Sequence, residues 1–149
     1  MTLEKDIHQF LQFRNEHHKA LVNLIFTCNW AKDQLKQIFD EDHLTLQQYS
    51  ILLIVNDSAE ALSTLEIRER MLDRMSDTSR IVDRLVAKRL LSKKLNKLDK
   101  RLVVVSITPT GKQLLRKMER TTQRMDAVLS RLSAKECVQF NTLLDKLRG

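Results

Sequence analysis

Arg80 and Arg84 stand four residues apart in the run Ser76-Asp77-Thr78-Ser79-Arg80-Ile81-Val82-Asp83-Arg84. On a helix this spacing puts both guanidinium groups on one face. Such a fork can read the O6 and N7 edge of guanine or clamp a phosphate. With Ile81, Val82, Leu85 and Val86 turned inward, Ser76, Arg80, Asp83 and Arg84 point outward. Asp77 and Ser79 flank them near the helix N-terminus, where unpaired N–H groups favour a phosphate. A second basic group follows: Lys93, Lys94, Lys97, Lys100 and Arg101, with Asp99 among them. An arginine on a slender loop can enter the narrow minor groove, where the potential is most negative over A·T-rich steps. Asp99 is either a brace that holds the Arg101 fork in one orientation or a residue capping the turn; the spacing fits both.

The distribution of charge agrees. The chain has 149 residues and a net charge of +7. Residues 63–112 hold 13 Lys and Arg against 6 Asp and Glu, so the whole excess lies in that central third. A local basic block is the footprint of a polyanion partner, although on composition alone a solvated charged face explains it as well. All seven aromatics (Phe10, Phe13, Phe26, Trp30, Phe39, Tyr49 and Phe140) lie outside the block. Binders of single strands and RNA stack bases on aromatic platforms, so their absence favours double-stranded DNA.

Other chemistries find no support. With Gly111 and Gly149 the only glycines and Pro109 the only proline, neither a glycine-rich phosphate loop nor a turn-rich sandwich or barrel can be written. No Ser/His/Asp, Cys/His or paired-carboxylate arrangement can be assembled, so no enzyme and no cofactor is expected. His8, His17, His18 and His43 do not make a metal site, since adjacent histidines point to different helix faces. Cys28 and Cys137 are too few for a disulfide framework and match no zinc spacing. Cys28 reads as a buried structural thiol and Cys137 as core. A reducing, cytoplasmic address is expected, with no membrane span.

Six helices must carry these residues. The apolar periodicity predicts them over roughly 3–31, 45–56, 63–72, 76–90, 110–132 and 133–147, with a short turn of helix at 32–39. Thr45-Leu46-Gln47-Gln48, Ser63-Thr64-Leu65-Glu66 and Ser133-Ala134-Lys135-Glu136 are capping boxes opening three of them. Asp73-Arg74-Met75 is a short turn of helix-turn-helix length. Leu91–Leu95 and Leu102–Thr108 alternate or are β-branched, and the polar stretch 96–101 joins them as a hairpin. The expected fold is mainly α (α+β): a winged helix-turn-helix with a two-stranded β wing and long N- and C-terminal helices.

Asp99-Lys100-Arg101 followed by Val105-Ser106-Ile107-Thr108-Pro109-Thr110-Gly111 resembles the wing signature of the MarR family of bacterial transcription regulators. Residues 79–88 are similar to that family's recognition helix, and residues 132–147 to its final dimerisation helix. Arg89 stands where the family usually has glycine, so the helix is expected to end differently there and Arg89 to add a backbone contact. The resemblance implies a DNA-binding lobe over 44–112 and a helical dimerisation lobe over 1–31 and 112–149. It implies a homodimer, in agreement with long amphipathic first and fifth helices that one monomer does not easily cover. It implies a sequence-specific repressor on a palindromic operator, modulated by a small-molecule effector. An architectural DNA-binding protein without a ligand switch uses the same basic block and stays the alternative.

Overall fold

A computed structural model describes Leu3 and residues 12–73, 76–96 and 102–149. Seven helices and three short strands run in the order α1 (Glu16–Asp40), α2 (Leu46–Asn56), β1 (Leu62–Ser63), α3 (Thr64–Arg70), α4 (Thr78–Ala87), β2 (Leu91–Leu95), β3 (Val103–Ile107), α5 (Pro109–Lys117), α6 (Glu119–Ala127) and α7 (Ala134–Arg148), counted among the described residues.

All three capping boxes form. Gln48 N–H donates to the Thr45 hydroxyl at 3.2 Å, and Thr45 N–H to the Gln48 side chain at 3.3 Å. Ser63 with Glu66, and Ser133 with Glu136, repeat the exchange at the starts of α3 and α7. Each satisfies N–H groups that a helix start leaves without partners.

The sheet is antiparallel with strand order β1-β3-β2. Leu91 to Leu95 pair with Ile107 to Val103, the expected hairpin. A third strand was not expected. Leu62 and Ser63 pair with Val105 and Val104 and cover the outer edge of β3. Two residues are too short for a sequence pattern, and Ser63 serves at once as ladder residue and helix cap.

The core lies between α2, α3, α4 and the sheet. Ile51, Leu52, Ile67, Val82, Leu85, Leu91 and Val105 are all but fully buried, closed off by Phe39 from α1 and Met118. Each such side chain contributes about 1.5–3 kcal/mol by leaving water. This core holds α4 against β2 and so fixes which face α4 presents.

Three expected boundaries move. The first helix does not run from residue 3 to 31. Asn15 is extended (φ −167°) and caps it by accepting from His18 N–H at 2.8 Å, and the helix continues unbroken to Asp40. Residues 4–11 of that expected span lie outside the described residues. The expected helix over 110–132 is two, joined at Met118, whose N–H is shared between the carbonyls of Leu114 and Leu115. No Gly or Pro marks the break; the wholly buried Met118 side chain sits at the bend. Beyond Ala127 the bonds shorten to three-residue turns, Val128 to Met125 and Ser130 to Ala127.

Candidate nucleic-acid interface

Helix α4 is short and strongly two-sided. Val82 and Leu85 are buried, whereas Ser79, Arg80, Asp83 and Arg84 are exposed. Asp77 is the N-cap, its carboxylate accepting from Arg80 N–H at 3.2 Å. Ser76 turns its hydroxyl back to the Asp73 carbonyl at 2.8 Å and is only half-exposed, rather than pointing outward. The helix therefore begins at Thr78, two residues later than the pattern predicts. Thr78 is buried, with its hydroxyl 3.5 Å from the Met71 sulfur, and pins the turn before α4.

Lys93 on β2 places its ammonium 2.5 Å from the Asp83 carboxylate. The strand is thereby tied to the exposed face of α4, and the one acidic group on that face is neutralised. Lys93 pairs across the sheet with Val105, which is buried, so it lies on the inner face; Lys94 pairs with Val104 and stands on the opposite face. The structure thus brings Ser79, Arg80, Asp83, Arg84 and Lys93 together and separates Lys94 from them. Lys97, Asp99, Lys100 and Arg101, the remaining wing candidates, lie outside the described residues, as does Arg74.

The end of α4 explains two motif positions. Arg89 has φ +59°, a left-handed conformation unusual for a residue with a side chain. Its N–H bonds to the Val86 carbonyl at 2.9 Å, and Leu90 N–H bonds to the Leu85 carbonyl at 3.0 Å. This is the Schellman ending that glycine ordinarily supplies. The helix therefore ends as it would with glycine, with Arg89 carrying the strain. Thr108 then locks the end in place. Its hydroxyl donates to the Arg89 carbonyl at 2.7 Å and accepts from Gly111 N–H at 3.0 Å, capping α5.

Away from α4, a groove of about 690 Å³ opens between α1, the start of α2 and the turn before α4. Lys32, Lys36 and Asp40 from α1 and Asp73 before α4 supply charge of both signs, and Leu44, Leu46, Met71 and Leu72 supply apolar wall. Cys28 is exposed, not buried, and Cys137 is half-buried in a helix without a buried residue. No group of three His, Cys, Asp or Glu side chains is placed to hold a metal among the described residues.

The sequence model for the transcriptional regulators SarA and Rot matches residues 34–118, more than half of the chain. The chain belongs to the SarA/Rot family. SarA/Rot proteins are transcriptional regulators, not enzymes. The fold of this SarA/Rot member is the MarR-type winged helix. A MarR transcription factor from Planctomyces limnophilus is 26% identical, with 92% of this chain covering 98% of that one at a TM-score of 0.68. A mutant MarR from E. coli complexed with operator DNA is 24% identical, covering 86% and 93% of the two chains at a TM-score of 0.74. BpsR of Bordetella bronchiseptica, whose DNA binding is regulated by 6-hydroxynicotinic acid, is 21% identical, covering 94% and 97% at a TM-score of 0.77. No curated protein sequence matches the chain. Among the described residues no helix is long and apolar enough to cross a membrane.

Proposed function

We propose that this SarA/Rot protein is a homodimeric repressor that binds a palindromic duplex operator through α4 and the wing, under the control of a small-molecule effector. The observation that carries the reading is the exposed face of α4. Ser79, Arg80 and Arg84 lie there without an ion-pair partner among the bonds described, while Asp83 is neutralised by Lys93. A helix of this kind enters the major groove with its first turns at base edges. Arg80 is the residue for a guanine edge, Ser79 and Arg84 for adjacent phosphates, and the hydroxyl of Ser76 and carboxylate of Asp77 serve the turn that aims the helix. Lys94 and the wing candidates Lys97, Lys100 and Arg101, with Asp99 either orienting Arg101 or capping the turn, are assigned to the flanking backbone and minor groove.

The dimer rests on uncovered apolar surface. Leu21, Leu24, Ile25, Phe26 and Trp30 on α1 are exposed, as are Val138, Leu143 and Leu147 on α7. Buried against a second copy, such surface contributes about 25 cal/mol per Å². Isologous pairing then sets two α4 helices about one DNA turn apart.

The groove, lined by two lysines, two aspartates and an apolar wall, suits a small amphipathic molecule, and it borders the turn that aims α4. The operator-bound MarR and the ligand-regulated BpsR make both roles reasonable for this fold. A cytoplasmic location follows from the role.

The test combines sedimentation with a salt titration. A dimer at micromolar concentration is expected, and its affinity for duplex should fall steeply between 50 and 200 mM salt. If each subunit touches about four phosphates, the logarithmic slope is about −7. A monomer, or a slope near zero, contradicts the reading.

A further inference from the structure

The turn between α1 and α2 touches both α6 and the end of α4. Glu41 receives two N–H groups from Arg124 on α6, one of them at 2.9 Å. Asp42 accepts from the buried Thr121 hydroxyl, also on α6, at 2.7 Å. The next residue, His43, is left-handed (φ +53°) and turns its carbonyl the other way. That carbonyl accepts from the Lys88 ammonium at the end of α4 at 2.7 Å, and Lys88 also reaches the Gln48 side chain at 3.3 Å. Three consecutive residues thus connect α6 to the end of α4.

We infer that Lys88 is a positioning residue and that Glu41-Asp42-His43 is a strut fixing the tilt of α4. By sequence Lys88 is only one more charge of the basic block. Its geometry gives it a structural task. Two of its three N–H donors are engaged by oxygens of the neighbouring turn and helix. An ammonium held this way resists rotation of α4 about its buried Val82–Leu85 seam. The same turn is hydrogen-bonded to α6 at Glu41 and Asp42 and to the end of α4 at His43, so the two helices share one support.

The inference rests on α4 being the DNA-reading helix, and the experiment separates the two. Operator and random duplex affinities are measured across salt for the unaltered dimer and for Lys88→Met, Lys88→Arg and Glu41→Gln. A positioning role predicts that Lys88→Met lowers the preference for operator over random duplex by about tenfold. Its affinity for random duplex and its salt slope stay unchanged. Lys88→Arg, whose fork reaches the same carbonyl, keeps most of the preference. Glu41→Gln lowers it in the same direction, and the double variant loses less than the product of the two. Equal loss on both duplexes, with a salt slope smaller by about one unit per subunit, makes Lys88 a phosphate ligand and overturns the inference. An unchanged preference overturns it too. If the unaltered protein shows no operator preference at all, the DNA reading falls and the positioning role falls with it.

Discussion

Gly111 lies directly against the Leu90 carbonyl: a Cβ at position 111 would stand 2.3 Å from that oxygen. The contact is with backbone, so no side chain can swing away to make room. It presses the first turn of α5 onto the residue just before β2, and the Thr108 hydroxyl bonds both sides of the junction. Alanine ordinarily favours a helix over glycine by about 1 kcal/mol. Here the collision reverses the sign. Gly111→Ala is expected to destabilise by about 1–3 kcal/mol, read as a lower midpoint in urea. A gain in stability contradicts the packing described.

Arg89 supplies the opposite case. Its left-handed backbone is strained for any residue with a Cβ, by about 1–2 kcal/mol. Glycine relieves that strain and returns roughly half of the gain to the unfolded chain. Arg89→Gly should therefore raise the melting temperature by about 1–4 °C. Arg89→Ala keeps the Cβ and should not raise it. Equal melting temperatures for the two variants would show that the α4 ending is not strained.

Arg80 separates reading from holding. On the proposed docking, Arg80→Ala costs about 1–3 kcal/mol on the operator and little on random duplex. Its N–H still bonds to Asp77, so α4 should keep its start. Fluorescence anisotropy with both duplexes measures the split. A uniform loss on both would make Arg80 a phosphate contact.

The capping carboxylates predict a pH dependence. The Ser63 N–H and then its hydroxyl hold the Glu66 carboxyl below its ordinary value. The Ser133 hydroxyl and then its N–H do the same for Glu136, and the Arg124 guanidinium does so for Glu41. A depressed carboxylate stabilises the fold fully above its unfolded value, and the effect is lost as pH falls through the folded one. Thermal stability should be level from pH 7 to about 5 and fall below that. Glu66→Gln should lower the melting temperature at pH 7 and match the unaltered protein at low pH. A difference that does not change with pH contradicts the capping account.

Much of this was legible in the chain because local chemistry and tertiary structure agree. Thr45, Ser63 and Ser133 announce helix starts through a hydroxyl and a return carboxylate or amide three residues on, and the fold keeps all three. Leu91–Leu95 and Val103–Ile107 announce a hairpin by β-branching and alternation. The two-sided α4 follows from the spacing of Val82 and Leu85. What was not legible depends on distant partners. β1 exists because β3 needs its outer edge covered, not because Leu62-Ser63 is a strand sequence. The bend at Met118 comes from a side chain drawn into the core, with no breaker residue. Lys88 and Asp42 look like ordinary surface charges until the turn at His43 brings their partners beside them. Cys28 reads as buried because its helix face is apolar, yet among the described residues it is exposed.

The central claim is that two copies of α4 read a specific duplex. Selection of bound duplexes from a random pool near physiological salt, followed by sequencing, tests it most directly. The account predicts an enriched palindrome with half-sites about 10 base pairs apart. Recovery of duplex without a shared motif would contradict it and favour an architectural DNA-binding protein.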